Sequence, residues 1–156
     1  MNSNYEKYIN GITELEELLS GLTEEQCKYK PADNKWSVNE ILAHLADAEV
    51  QAYIRYRAVL ADDIPFLMYF NQDSWSKELM HAEMPVYESL LLLRSMRQNN
   101  YHLISSLSGE QLNREGLHST RGKVTVKGLI ESYISHLEKH MEQIKRNITN
   151  YKNSKT

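Results

Sequence analysis

Cysteine is nearly absent from this chain, which has only Cys27 among its 156 residues. A single cysteine cannot form an intrachain disulfide, so the fold must be stabilised by its core. A free thiol is also typical of a reducing compartment. The first ten residues, MNSNYEKYIN, lack the apolar segment of a secretory signal. We therefore expect a cytoplasmic protein.

Long apolar runs, phosphate-binding loops and an excess of basic residues are missing as well. No apolar segment approaches the roughly 20 residues that span a bilayer. The six glycines form neither GxGxxG nor GxxxxGK[ST]. The net charge is −3, with Lys and Arg scattered among Asp and Glu, which argues against a nucleic acid as the main partner. The composition predicts a globular domain that binds neither membranes nor nucleic acids.

Helical periodicity fills most of the chain, in four segments. They run approximately over residues 4–20, 38–61, 86–107 and 125–151. The second segment has the clearest start, because Ser37 and Glu40 have the spacing of a capping box. Trp36 and Ile41 have the spacing of a hydrophobic staple around the same cap. The pattern predicts an all-α, single-domain four-helix bundle over residues 1–151, with a frayed tail at 152–156.

The connection between the second and third helices, residues 62–84, is too long for a turn between neighbours. Its length lets it travel the full height of the bundle, so we expect a long crossover that leaves these two helices parallel. It also contains four aromatic residues: Phe66, Tyr69, Phe70 and Trp75. These predict that the crossover packs as a cap over one end of the bundle.

Two histidines lie one turn apart on the fourth helix, at His136 and His140. Apolar residues at helical spacing flank them on the same stripe, so both imidazoles should face inward. Two such rings can present nitrogen atoms to one metal ion. Leu137 follows the first histidine where a zinc protease has Glu, which excludes that motif. The alternative is a pair of ordinary core or surface histidines, since six histidines make this spacing common by chance.

A third histidine, His44, lies on the otherwise apolar face of the second helix. Alone it would be interpreted as a hydrogen-bonded core residue. If the second and fourth helices are neighbours, however, it meets His136 and His140. Burying three imidazoles together without a cation or an acid is unfavourable. The sequence therefore favours a metal site formed by these three residues.

Three stretches resemble the DinB-like superfamily, which includes the bacillithiol S-transferases. They are KWSVNEILAHLADAE, NQDSW and GKVTVKGLIESYISHLEKHMEQI, and the resemblance extends over nearly the whole chain. Its most specific parts are the Trp-Ser helix start, with a His seven residues after the Ser, and HxxxH followed by Gln-Ile. The resemblance implies a four-helix bundle with a long crossover. It also implies a divalent metal held by His44, His136 and His140, with positions left open as in catalytic sites.

The resemblance further implies a metal-dependent enzyme, a thiol S-transferase of the stress response or a related hydrolase. Its partners would be a small-molecule thiol and an electrophilic substrate. Separately, apolar residues left over on the first and third helices would serve either a homodimer or the core. Histidine ligation is compatible with zinc or nickel, which we expect first, and with iron or manganese. Two alternatives stay open from the residues. One is a non-catalytic metal- or ligand-binding bundle; the other is a helical interaction protein whose histidines belong to the core.

Several further residues are candidates for a substrate pocket or for contacts to the metal ligands. Asp47 follows the first histidine closely and is either a partner of a ligand or a solvated residue. Asp73 and Trp75 match the loop that borders the metal in the similar family, or else cap a helix and pack against it. His118 and Arg121 precede the fourth helix, where they would guide an anionic substrate or lie in a solvent loop, which the sequence favours. No general base can be named.

Overall fold

The structure is a computed structural model that describes residues 3–155, with side chains from residue 5 onward. Its helices are α1 (Ser3–Leu19), α2 (Glu24–Lys28), α3 (Val38–Ala61), α4 (Gln72–Glu78), α5 (Val86–Ser105), α6 (Gly109–Leu112) and α7 (Val126–Ser154). Its strands are β1 (Phe66–Leu67), β2 (Glu115–His118) and β3 (Gly122–Thr125). The four long helices α1, α3, α5 and α7 form the predicted bundle, so the fold class is confirmed.

Helices α3 and α5 are parallel, as the long crossover predicted. Near the start of α3, the amide of Asn39 donates to the carbonyl oxygen of Ala82 at 3.0 Å, just before α5 begins. Near its end, Arg57 donates to the side chain of Asn99 at 2.6 Å. The two helices therefore advance in the same direction, and the crossover returns the chain to the level at which α3 begins.

Helices α3 and α7 are antiparallel neighbours. The amide of Asn147 donates to the carbonyl oxygen of Trp36 at 2.8 Å, and the guanidinium of Arg55 donates to the hydroxyl of Tyr133 at 2.8 Å. Between these two contacts, the middle of α7 lies opposite the first turns of α3. This pairing places the histidines of the two helices at the same level.

The core consists of two apolar clusters with a polar layer between them. One cluster includes Ile12, Leu45, Leu93 and Leu137, and the other includes Ala52, Tyr56, Ile104 and Leu129. Along α5, Arg97 falls between the two clusters and pairs with Glu49 at 2.9 Å, with both side chains 2% exposed. Asn100 and Tyr8 also donate to this carboxylate. The bundle therefore has a buried, hydrogen-bonded ion pair at its centre.

A small three-stranded sheet accompanies the bundle, which the sequence pattern did not predict. Strand β1 of the crossover pairs in parallel with β2, and β2 pairs antiparallel with β3. Gly116 lets the sheet approach α3, because a Cβ there would lie 2.7 Å from a methyl carbon of Val59. Strands of two to four residues are too short to show alternation in the sequence. The sheet ties the crossover to the segment that precedes α7.

Helix α7 is longer than predicted, since it ends at Ser154 rather than near Tyr151. Residues 152–154 of the predicted frayed tail are therefore helical. Lys155 pairs with Glu25 at 2.8 Å, and the ring of Tyr151 packs edge-on against Tyr29, which gives the last turns partners in the bundle. Residues 1, 2 and 156 of the predicted domain and tail lie outside the described residues. Within residues 3–155, no helix combines the length and apolarity needed to cross a bilayer.

Candidate metal centre

The start of α3 is fixed by the capping box that the sequence predicted. The Ser37 hydroxyl accepts from the backbone N–H of Glu40 at 3.3 Å, and the Glu40 carboxylate accepts from the backbone N–H of Ser37 at 2.8 Å. Lys30 also donates to this carboxylate at 2.8 Å. The helix therefore begins at a defined residue, two turns before His44.

Trp36 has a larger part than the staple assigned to it. Its ring centroid lies 5.0 Å from that of His44, and it stacks on His140 at 6.2 Å with an angle of 11° between the planes. On another side, Phe70 of the crossover lies 6.1 Å from His44. These aromatic rings shield the imidazoles from water.

The three predicted histidines converge. The Nε2 atoms of His44 and His136 are 2.9 Å apart, and the ring centroids of the three imidazoles are separated by 4.6–4.9 Å. One ring nitrogen from each of His44, His136 and His140 lies within 4.8 Å of the other two. The structure thus brings together the residues that the sequence selected.

Burial keeps these imidazoles neutral. It lowers the pKa of His44 to about 2, with a further contribution from the neighbouring His136 and His140. It also lowers the pKa of His136 to about 3, again helped by His140, and lowers the pKa of His140. The neutral ring has a free nitrogen lone pair, which is the form that binds a metal ion.

Gln143 orients the third imidazole. Its Oε1 atom lies 2.9 Å from Nδ1 of His140, one turn further along α7. An amide oxygen can only accept, so Nδ1 carries the proton and the Nε2 lone pair remains free. Ligand histidines usually donate their second N–H in this way. Sequence analysis noted the Gln after HxxxH but gave it no role; its i,i+3 spacing from His140 was the available signal.

The donor set fits one divalent transition metal. Ligand nitrogens bound at 2.0–2.1 Å in tetrahedral geometry lie about 3.4 Å apart, and the three histidines, with one nitrogen pair at 2.9 Å and all within 4.8 Å, are close enough to meet this spacing with small shifts. Three neutral nitrogens facing one point are more favourable around a cation than alone. Imidazole binds zinc, nickel, iron and copper, so the ligands do not select among them.

A cavity of about 260 Å³ opens beside His44 and His136. The crossover, the β2–β3 hairpin and the two helices each supply part of its wall. These residues are Tyr69, Phe70 and Gln72 of the crossover, His118, Thr120 and Arg121 of the hairpin, and Ala48, Arg55, Ser132 and Tyr133 of α3 and α7. Arg55 was not selected by the sequence analysis. The cavity is large enough for a small organic molecule next to the metal site.

The other predicted site residues have different locations. His118 lines the cavity, whereas the sequence analysis favoured a location in a solvent-exposed loop. Asp47 points elsewhere: its carboxylate lies 2.9 Å from Nε2 of His81 and lines a separate cavity. Its partner is therefore not one of the three clustered imidazoles. Position 47 is three residues after His44, which turns the side chain about 60° away around the helix.

The crossover residues also have different locations. Asp73 is exposed and borders another surface cavity, and α4 is capped by Asn71, whose side chain accepts from the backbone N–H groups of Asp73 and Ser74. The capping alternative proposed for Asp73 is thus wrong. Trp75 packs on Phe70 with ring centroids 4.9 Å apart. It therefore supports an aromatic ring that contacts His44.

The sequence of residues 9–144 matches the profile of the DinB superfamily. This chain belongs to the DinB superfamily. A relative from Oceanobacillus iheyensis is 26% identical over 136 residues, covering 87% of this chain and 78% of the relative. One from Halalkalibacterium halodurans is 27% identical over 143 residues, and the match covers 89% of this chain and 83% of the relative. Both carry the provisional name of metal-dependent hydrolase.

A solved structure shares the fold of this DinB protein. YfiT from Bacillus subtilis, described as a probable metal-dependent hydrolase with an unusual four-helix bundle topology, superposes with a TM-score of 0.86. The match covers 93% of this chain and 83% of YfiT at 22% sequence identity. At that identity the likeness shows the fold, including the bundle that places the three histidines together.

Proposed function

We propose that this DinB protein is a metal-dependent enzyme that hydrolyses small molecules. One divalent transition metal would be held by His44, His136 and His140. The observation that carries the proposal is the convergence of three neutral imidazoles beside a 260 Å³ cavity. The provisional names of the two bacterial relatives support hydrolysis as the reaction class.

The chemistry divides between the metal and the residues around it. A bound divalent ion polarises a carbonyl or phosphoryl oxygen and lowers the pKa of a water or thiol that reaches it. Gln143 holds His140 in the tautomer that leaves Nε2 free, at 2.9 Å. Trp36 and Phe70 pack against the imidazole of His44.

A thiol S-transferase remains the second candidate, and one observation favours it. Among residues 3–155, no carboxylate lines the cavity or contributes to the pKa values of the three imidazoles. The site therefore offers water no carboxylate base. A thiol, with an ordinary pKa near 8.5, needs less help to ionise. In this reaction the sulfur of a small thiol would form a bond to carbon of the electrophilic substrate as the bond to the leaving group breaks, and the thiol proton would pass to solvent.

One experiment separates these functions. Protein loaded with zinc or nickel would be incubated with a panel of small esters and lactones, and released acid would be titrated at constant pH. In parallel, loss of free thiol would be followed with cysteine and an electrophilic acceptor. His136→Ala removes a ligand, and His102→Ala is the matched control, because His102 is exposed on α5.

The outcomes differ for each function. Acid release by the parent and by His102→Ala, but not by His136→Ala, supports the hydrolase. Thiol consumption by the parent and by His102→Ala, but not by His136→Ala, supports the transferase when no acid is released from the panel of hydrolysable substrates. Bound metal without either activity would leave a non-catalytic metal-binding protein.

Zinc and nickel are the ions that we propose first, since both accept three imidazole ligands.

A cytoplasmic location is also proposed, supported by the lone Cys27. A homodimer stays a prediction; Tyr87 and Leu91 of α5 are exposed apolar residues that would be examined first in an interface.

A further inference from the structure

Arg55 is a buried cation with only neutral partners. Its side chain is 6% exposed, Nη1 donates to the hydroxyl of Tyr133 at 2.8 Å, and Nη2 donates to the carbonyl oxygen of Met68 at 2.5 Å. The Nε–H group has no acceptor among the described residues. No carboxylate within residues 3–155 forms an ion pair with this guanidinium. A buried charge in this state is unfavourable unless something else neutralises it.

A second buried arginine, Arg97, differs from Arg55 in having a buried carboxylate as its partner. Arg97 is 2% exposed and pairs with the carboxylate of Glu49 at 2.9 Å. It also donates to the backbone of Tyr8. The fold thus supplies a buried anion for Arg97 and none for Arg55. The difference between them is that Arg55 lines the cavity beside the metal site.

Two further basic residues line the same cavity. His118 is buried, and its Nδ1 accepts from the backbone N–H of Thr120 at 3.2 Å, so the neutral ring carries its proton on Nε2 as a donor. Arg121 is exposed at the cavity edge and lies 3.4 Å from the hydroxyl of Ser132. All three residues line the same cavity, and the positive charges of Arg121 and Arg55 add to the effect of burial in lowering the pKa of His118. No Asp or Glu of the described chain lines this cavity.

We propose that Arg55, His118 and Arg121 form a subsite for a carboxylate group of the substrate. The carboxylate would lie against the guanidinium of Arg55 in the cavity and neutralise the charge that the fold leaves unpaired. Charge-assisted hydrogen bonds of this kind are the strongest that arginine makes. The role of the subsite in turnover rests on the proposed function, whereas carboxylate binding does not.

The geometry also limits what the rest of the substrate can be. Arg55 follows His44 by eleven residues on α3, which is about 16 Å along the helix axis, although a long side chain can shorten this span. The carboxylate and the reacting group are therefore several bonds apart. Tyr69, Phe70 and Tyr133 line the cavity and suit an apolar or aromatic spacer. The substrate class is a small carboxylic acid with a second, hydrolysable or electrophilic, group.

Binding to the metal-free protein tests the subsite without any assumption about turnover. Benzoate and its neutral analogue benzamide would be titrated into the full chain and followed by NMR chemical shifts. We expect benzoate to bind at least about tenfold more tightly than benzamide. Arg55→Gln and Arg121→Gln should each remove most of this preference. Arg57→Gln should keep it, because Arg57 is on the same helix but binds Asn99 and Asn100 outside the cavity.

The exposed Arg121 keeps the test decisive if the Arg55 variant fails to fold. Equal binding of benzoate and benzamide, or no benzoate binding at millimolar concentrations, would overturn the proposal. So would a benzoate preference that persists in Arg121→Gln and in every folded Arg55 variant. Tighter binding of phenyl phosphate than of benzoate would replace the carboxylate by a phosphate and overturn the assignment. If the preference for benzoate is confirmed but the metal-loaded protein shows no turnover, the carboxylate subsite is supported and the proposed enzymatic function is refuted.

Discussion

The Nε2 atoms of His44 and His136 lie 2.9 Å apart, although 92 residues separate them in the sequence. The antiparallel pairing of α3 with α7 produces this contact, and the third imidazole joins it from the next turn of α7. Nitrogen lone pairs that converge in this way suit the binding of one metal cation.

Elemental analysis of protein purified without a histidine tag is the first check. We expect about one equivalent of transition metal in the parent and much less in His44→Ala and His136→Ala, since each variant removes one of three ligands. His102→Ala, which changes an exposed histidine, should match the parent. Absence of metal from the parent, even after incubation with zinc and nickel, would contradict the site.

Gln143→Leu should weaken metal binding while leaving the ligands in place. Loss of the hydrogen bond to His140 frees the ring to rotate or change tautomer, which typically lowers metal affinity about 10- to 100-fold. Competition with a chromophoric chelator measures this change. Gln98→Leu is the matched control, because Gln98 contacts the exposed His102 at 3.2 Å. Equal affinities in the two variants would show that the contact to His140 is dispensable.

The metal-free protein should lose stability as the pH falls below about 6.5. His44 and His136 have pKa values of about 2 and about 3 when folded, against 6.5 without the protein environment. Between these values the unfolded chain binds more protons than the folded one, so the free energy of unfolding rises with pH. The slope is up to about 1.4 kcal/mol per pH unit for each imidazole.

Urea unfolding at several pH values between 4.5 and 7.5 measures this slope. His44→Gln removes one of the two groups, so its slope should be smaller by up to one proton. Parallel pH dependences in the parent and the variant would show that His44 titrates normally in the folded protein.

Glu49→Gln should destabilise the bundle far more than a comparable change at the surface. It leaves the guanidinium of Arg97 buried without its charge partner, at a cost of about 3–5 kcal/mol in the free energy of unfolding. Glu16→Gln breaks the pair with Arg94, which is largely exposed, and should cost about 0–1 kcal/mol. Urea denaturation of the two variants compares them directly, and similar losses would contradict a structural role for the buried pair.

The sequence was sufficient to predict the bundle and the convergence of the three histidines. Long amphipathic segments with a capping box at Ser37 specify helices without reference to the rest of the chain. Two histidines one turn apart and a third on an apolar helix face specify a cluster as soon as α3 and α7 are neighbours. The parallel course of α3 and α5 followed from the length of the crossover.

The parts that could not be predicted depend on contacts distant in sequence. Strands of two to four residues have no detectable periodicity, so the sheet was missed. Arg55 stands in a stretch of alternating Tyr and Arg and looks like a surface residue. Its burial arises only when Met68 of the crossover accepts from it and Tyr133 of α7 lies opposite. Proximity to His44 in sequence made Asp47 a candidate partner of a metal ligand, with a solvated residue as the alternative, whereas the folded crossover brings His81 to it.

In this protein the elements that carry the three histidines are different from those that form much of the cavity wall, which is useful for redesign. The three clustered histidines come from α3 and α7, whereas much of the cavity wall comes from the crossover and the hairpin that the sheet fastens together. The hairpin turn at 119–121 can therefore be randomised in a library while His44, His136 and His140 stay unchanged. Such a library would vary Arg121 and the contact of Thr120 with His118, and so would change which molecules the cavity accepts beside the same three histidines.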